Sequence, residues 1–398
     1  MLLEPSSADG SVYWRHSQLP CVPPWMALRT LSDCFWWERI WLPCNYTWDD
    51  FQNSEGTGAA STSQLLVTLP LALLFTLLRY GFERAIATPV ARAMGIKSKV
   101  RQKASLNPVL ENFYISSSKH PSQTDIYGLA KKSNRTTVQI ERWFRKRRNQ
   151  DRPAVMKKFQ ESCWRFTFYL CALIGGIAVL HDKPWFHDVW EVWVGYPKQE
   201  VLESQYWYYV MELGFYWSLL FSVASDVRRK DFMVQVVHHL ATIFLLNFSW
   251  GVKYIRVGTL TLLVHDVSDV LLEAAKMCSY AKWSKTCNIL FAVFAVVFVI
   301  SRLIVFPFWI IYATVVYPLY YCPRFFLYYF FNMVMFILQF LHIYWAYLIF
   351  RMVRKMISGN MSGDDRSDNE EEDSDENEEQ PLSNGDGKKR IVNGQHDR

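Results

Sequence analysis

The sequence predicts an all-α polytopic membrane protein with seven transmembrane helices. Three observations carry that prediction. Apolar runs at 65–82, 163–180, 206–224, 234–250, 257–272, 289–316 and 325–350 are long enough, or nearly so, to cross a bilayer as helices. Hydrophobic residues make up 51% of the 398 and aromatic residues 16%, a loading suited to lipid contact and interfacial anchoring. Charge alternates from loop to loop, as expected of a chain threaded through a membrane.

Taken in order, residues 1–25 have no apolar core of the kind a cleavable signal peptide needs. Met26 opens an amphipathic stretch with clustered Trp, suited to a membrane interface, and residues 1–64 are expected to be lumenal. Asn45-Tyr46-Thr47 is then a glycosylation acceptor at Asn45. The first span, 65–82, is short and uncharged until Arg79. About 80 residues with roughly 18 Lys and Arg follow, the kind of loop that stays cytosolic. Loops beginning at Arg228, Lys276 and Arg351 are also basic, whereas the connection from Asp182 to Glu203 is acidic. With the N-terminus lumenal and the C-terminus cytosolic, every strongly basic loop falls on the cytosolic side, and Lys253 and Arg256 are modest exceptions. Residues 359–398 form an acidic, low-complexity tail expected to be disordered, with Ser367 and Ser374 as candidate phosphorylation sites ahead of acidic residues. The eight cysteines contain no C-x-x-C pair, so neither a disulfide framework nor a zinc site follows.

The first basic loop has an internal pattern. Leu110-Glu111-Asn112-Phe113, Leu129-Ala130-Lys131-Lys132 and the stretch from Val138 to Arg148 with Trp143-Phe144 and Arg147-Arg148 resemble a homeodomain, with a small helical domain implied over 93–154. The position two residues after Phe144, where that family carries an adenine-reading Asn, is Lys146 here. The arm that would enter the minor groove is replaced by a tether to a span. Sequence-specific DNA binding is therefore not expected, and a basic face for anionic head groups or an anionic cofactor is the plainer reading.

The chemistry concentrates in the fourth and fifth runs. His238 and His239 lie in one, and His265, Asp266 and Asp269 in the other. Counted from a hairpin tip near Val252, His239 and Asp266 are each about 14 residues away, hence ~20 Å from the tip at one depth. The His pair and the Asp pair can therefore meet across neighbouring helices. Adjacent helical residues point ~100° apart, so His238 and His239 cannot both face one spot. Asp266 and Asp269, at i and i+3, share a face. A neutral imidazole can remove the proton of an attacking amine or accept an acyl group itself, and a carboxylate can orient it and offset its charge. The bland alternative, histidines snorkelling or bonding a carbonyl, explains one His better than four ionisable groups at matched depth. A metal site is disfavoured because i, i+1 histidines are poor ligand spacing. Glu212, Arg302, Asn332, Gln339 and His342 read as interior contacts, with Arg302 a candidate for holding an anionic substrate group.

His238-His239 followed by His265-Asp266-x-x-Asp269 is similar to the longevity-assurance motif of ceramide synthases, within a TLC domain expected over 157–358. With the homeodomain-like loop and acidic tail, the match is to the vertebrate homeobox-containing type, nearest to members handling very long acyl chains. The resemblance implies six helices in a TLC-type bundle around a central cavity. It also implies N-acylation of a sphingoid base, sphinganine or sphingosine, by a fatty acyl-CoA in the endoplasmic reticulum membrane, with His238, His239, Asp266 and Asp269 required. Acyl-CoA is then a substrate, and no cofactor or metal is expected. Arg228, Arg229 and Lys230 are placed to bind the CoA phosphates at the cytosolic mouth. The loop Tyr317 to Arg324 is placed to influence chain length, and a homo- or heterodimer with related synthases is compatible with the resemblance. The alternative is a non-enzymatic TLC-type lipid-binding or translocon-associated protein.

Overall fold

The computed structural model describes residues 33, 37–42, 46–48, 62–96, 103–151, 154–223, 225–227, 229–321 and 323–358. The described part is all helical apart from its connections. Asn45, Arg228, Ser367 and Ser374, and with them the tail from 359, lie outside the described residues. The described residues divide into two compact units, one drawn from within 1–98 and 153–361, the other from within 99–152.

Among the described residues the larger unit holds seven long helices, one at each predicted apolar run. They are α1 (Thr68–Phe82), α5 (Val155–Leu180), α6 (Glu203–Ser222), α7 (Phe232–Gly251), α8 (Ile255–Tyr280), α9 (Ser284–Phe298) and α10 (Phe326–Ile357), with α2 to α4 in the smaller unit. Five helical stretches are long and apolar enough to cross a membrane: Gln64–Ala93, a segment within Thr137–Leu180, Phe232–Gly251, Ser284–Tyr320 and Phe326–Ile357. α6 and α8 fall short on composition, not on length. α6 is rich in Tyr and carries Glu212, and α8 carries His265, Asp266, Asp269 and Glu273, all four on its interior side or half-buried. Polar residues are tolerated there because both helices pack among others: α8 lies against α5, α9 and α10's neighbours, and α6 against α1 and α7.

Two aromatic cores hold this unit. In one, Phe168 of α5 stacks on Phe215 of α6 with centroids 3.5 Å apart, and Phe75 of α1 meets both edge-on. In the other, Trp193 and Tyr254 meet at 4.9 Å, and Tyr254 meets Phe331 of α10 at 5.2 Å. Arg256, one of the two basic exceptions on the hairpin, donates to the Glu191 carbonyl at 2.9 Å and lies over the Trp185 ring at 4.2 Å. Its charge is thus held by the protein at that end of the bundle. α9 continues into a π-helical stretch, Val299–Ile311, which contains Arg302 and Pro307. Proline cannot donate to the backbone ladder, which disfavours regular α winding at this point.

The smaller unit contains α2 (Pro108–Ser116), α3 (Gln123–Ser133) and α4 (Thr137–Asp151). Each start is specified locally. Asn107 accepts from the amides of Val109 and Leu110 ahead of Pro108, and Ser122 with Asp125 forms a capping box. Leu110, Tyr114, Ile126, Leu129, Ile140, Trp143 and Phe144 make the core. Arg147 donates to both oxygens of Glu111, from Nη2 at 2.8 Å and from Nε at 2.9 Å, and also pairs with Asp151. It is therefore tied to α2, not turned outward.

Candidate active site

The site is built on the α7–α8 hairpin. Its turn is short: the Tyr254 amide donates to the Ser249 carbonyl at 2.7 Å and Lys253 takes a left-handed conformation at φ 59°. With so short a turn, residues equidistant from it must lie level. The ring centroids of His238 and His265 are 6.1 Å apart. The final helix contributes the third ring, His342, 6.4 Å from His238 and 4.9 Å from His265. All three are buried, His342 completely.

Hydrogen bonds assign the tautomers. His265 Nδ1 lies 2.6 Å from the Thr261 carbonyl, which can only accept, so Nδ1 carries the proton and Nε2 keeps its lone pair. His342 Nε2 lies 3.1 Å from that lone pair and donates to it. His342 Nδ1 is left as an acceptor without a partner among the described residues. His238 Nδ1 has none either, and the ring stands edge-on to Trp345 at 5.3 Å. His239 points elsewhere, toward Tyr216 of α6 with centroids 5.9 Å apart, as expected for consecutive residues on one helix.

The two aspartates have different partners. Asp266, fully buried, accepts from the Tyr208 hydroxyl at 3.4 Å and lies beside the Glu212 carboxyl. Asp269 accepts from Arg302 at 2.8 Å. Arg302 also donates to Ser268 Oγ at 3.1 Å and to the His265 carbonyl at 2.8 Å, and its Nη1 lies 3.5 Å from His342 Nε2. Among the described residues neither carboxylate bonds an imidazole nitrogen: the guanidinium fork outcompetes a neutral ring for Asp269, and Asp266 faces α6. Arg302, expected to hold an anionic substrate group, thus has its donors directed at the protein's own groups.

Toward the opposite end of α8 from the hairpin turn, charges gather. Asp226 accepts from Arg79 at 2.7 Å and from Arg165 at 2.8 Å, and Lys276 pairs with Glu273 at 2.6 Å. Arg229 of the predicted phosphate-binding run donates to the Tyr280 hydroxyl at 3.1 Å, and Lys230 follows it just before α7.

From His265 toward the turn runs a partly open, largely apolar cavity with about 30 Å3 of room for water-sized occupants. α6, α7, α8 and α10 line it, with Leu245, Leu262, Phe331 and Leu338 among its walls and His265 at its head.

Residues 158–351 match a family model described as the TLC domain, a span that contains His238, His239, His265, Asp266, Asp269 and His342. The chain is 54% identical over 342 residues to human ceramide synthase 3, covering 86% of this chain and 89% of that protein. Against mouse ceramide synthase 3 identity is 51% over 382 residues, covering 93% of this chain and all of the relative. Ceramide synthase hyl-1 of Caenorhabditis elegans is 33% identical over 351 residues, covering 84% of this chain and 83% of that protein. The chain belongs to the ceramide synthase family.

Two contributors to this ceramide synthase site were not singled out as site residues by sequence reasoning. His265 stands next to the flagged Asp266 and was passed over in favour of the His pair. His342 comes from a helix 77 residues further on, and its only signal was an ionisable group inside an apolar run.

Proposed function

We propose that this protein transfers the fatty acyl group of an acyl-CoA to the amine of a sphingoid base, sphinganine or sphingosine, in the endoplasmic reticulum membrane. One observation carries the reading: three buried imidazoles from α7, α8 and α10 gather with ring centroids 4.9 to 6.4 Å apart, and an apolar cavity opens beside His265. The amine nitrogen attacks the thioester carbonyl, the C–S bond breaks, and the amine proton passes through an imidazole to the leaving thiolate. His238 is the residue for that exchange, since its ring lies 6.1 Å and 6.4 Å from those of His265 and His342, which are bonded to each other, while His239 turns toward Tyr216. The same ring could hold the acyl group covalently before the amine arrives. His239 orients the base from the α6 side. Asp269 and Arg302 keep the backbone of His265 in place, and Asp266 anchors α8 to Tyr208. This chemistry needs no metal or cofactor beyond acyl-CoA as substrate.

The chain crosses the membrane seven times, with α6 and α8 as the two polar inner spans. Its N-terminus is lumenal with a glycan on Asn45, and its C-terminus is cytosolic with phosphate accepted at Ser367 and Ser374. Arg228, Arg229 and Lys230 bind the CoA phosphates at the cytosolic mouth. The 103–151 unit is a homeodomain-like module reading anionic surfaces in place of DNA, and the protein pairs with itself or with related synthases. Purified protein given acyl-CoA and labelled sphinganine should form dihydroceramide, and His238→Ala should abolish it at normal expression. Full turnover by that variant would remove His238 from the mechanism.

A further inference from the structure

α7 and α10 meet at two levels. At the deeper one His238 lies across from His342, with ring centroids 6.4 Å apart. At the start of α7 the indole Nε1–H of Trp345 donates to Asp231 Oδ2 at 3.2 Å. Asp231 precedes His238 by seven residues, close to two helical turns, so the two lie on nearly one face, ~10 Å apart along the axis. Trp345 follows His342 by three residues and shares its face of α10. The helices run in opposite directions, so the later residue on α10 reaches the earlier one on α7.

The indole of Trp345 spans those levels. Among the described residues it is the nearest aromatic ring to His238, at 5.3 Å and 77°, with His239, His265 and His342 at 5.9, 6.1 and 6.4 Å. It also packs against the buried cluster that includes Phe294 and Phe298 of α9. Asp231 is 2% exposed, so the indole N–H is satisfied by a buried protein oxygen. The outer torsion of a histidine is broad, and its ring keeps one angle only while its neighbours keep theirs. An indole that has lost its acceptor turns to find another, and the surface it offers His238 turns with it.

We infer that Asp231 and Trp345 are positioning residues for acyl transfer: the carboxyl anchors the indole, and the indole holds the His238 ring at the angle from which it exchanges the amine proton. The inference rests on the acyltransferase reading and on the place of His238 in it. It adds two residues outside the pattern of His238-His239 and His265-Asp266-x-x-Asp269. Both act through His238, so losing their bond changes how well the imidazole is aimed and leaves substrate binding as it was. A misplacement on the order of 1 Å costs up to ~10²-fold in rate.

The test measures ceramide formation by full-length protein in microsomes, with acyl-CoA and sphinganine each varied, at matched protein levels. Trp345→Phe keeps a ring beside His238 and removes only the donor; Asp231→Ala removes only the acceptor. Each should lower kcat about tenfold or more, with both KM values within about twofold of the unaltered protein, the pattern of an interaction that serves the reacting state alone. The double variant should be no slower than either single one, because one bond is lost in all three. Asp231→Asn, which keeps an acceptor oxygen, should recover most of the loss. Full turnover by Trp345→Phe, a loss expressed as raised KM at unchanged kcat, or losses that multiply in the double variant would each overturn the inference while the acyltransferase reading stands. Absence of ceramide from the unaltered protein would instead overturn that reading, and the inference with it. Should Trp345→Phe fail to accumulate, the comparison of Asp231→Ala with Asp231→Asn decides alone, and equal turnover in those two overturns the inference.

Discussion

Arg302 is 3% exposed and holds three groups at once: Asp269, Ser268 and the His265 carbonyl. Lysine has no planar fork and cannot reproduce that set. Removing the guanidinium leaves the Asp269 carboxylate without its counter-charge, at ~3 kcal/mol or more. Arg302→Met should accordingly lower the melting temperature of the detergent-solubilised protein, and adding Asp269→Leu should recover most of it. Turnover should stay at least tenfold down in both, because the His265 carbonyl has lost its brace in either background. Recovery of stability and turnover together would mean that the pair serves folding alone.

At the scale of elements, α4 is held to α2 by Arg147, whose guanidinium stays protonated well above its ordinary range because Glu111 and Asp151 both accept from it. Burial pushes the Tyr114 phenol up to about 12, helped by its 2.9 Å bond to Asp151. Burial pushes the Asp151 carboxyl up too, but its bonds to Arg147 and Tyr114 outweigh that and hold it below the usual value. A depressed carboxyl contributes stability above its unfolded pKa, near 3.9, and loses it as pH falls through the lower folded value. Limited proteolysis of the full-length chain should therefore cut within 103–151 faster below about pH 4 than at neutrality. Arg147→Ala should do the same at neutral pH, by about 1–2 kcal/mol of local stability. Unchanged cleavage in that variant would mean the three-helix core holds unaided. The short α7–α8 turn is the other element that decides much, since it alone levels His238 with His265.

For the whole molecule, the proposed threading, which the loop charges favour, has the N-terminus in the lumen. An endoglycosidase should then shift the mobility of the protein, and Asn45→Gln should abolish the shift; a glycan-free chain would reverse the threading. Much of the architecture was legible because apolar runs and loop charges are local signals. The depth match of His238 with α8 was legible too, since rise per residue is constant along a helix. Which way a residue faces was not. Asp266 turns to Tyr208 and Asp269 to Arg302, although spacing alone puts them on one face. Nor could spacing bring His342 to His265, because that contact depends on how α10 packs. Composition alone leaves α6 and α8 too polar to be recognised as spans, and several of their polar groups find partners on neighbouring helices that no single-helix reading contains.

The widened winding of Val299–Ile311 has a bearing on how such chains can vary in length. Deleting one residue before Arg302 would move it by ~100° around the axis and turn its charge from the imidazoles toward lipid. Loops of this protein can gain or lose residues cheaply; this segment cannot lose one, and a frame-preserving deletion there should silence the enzyme while sparing its expression far less than the same change in a connection.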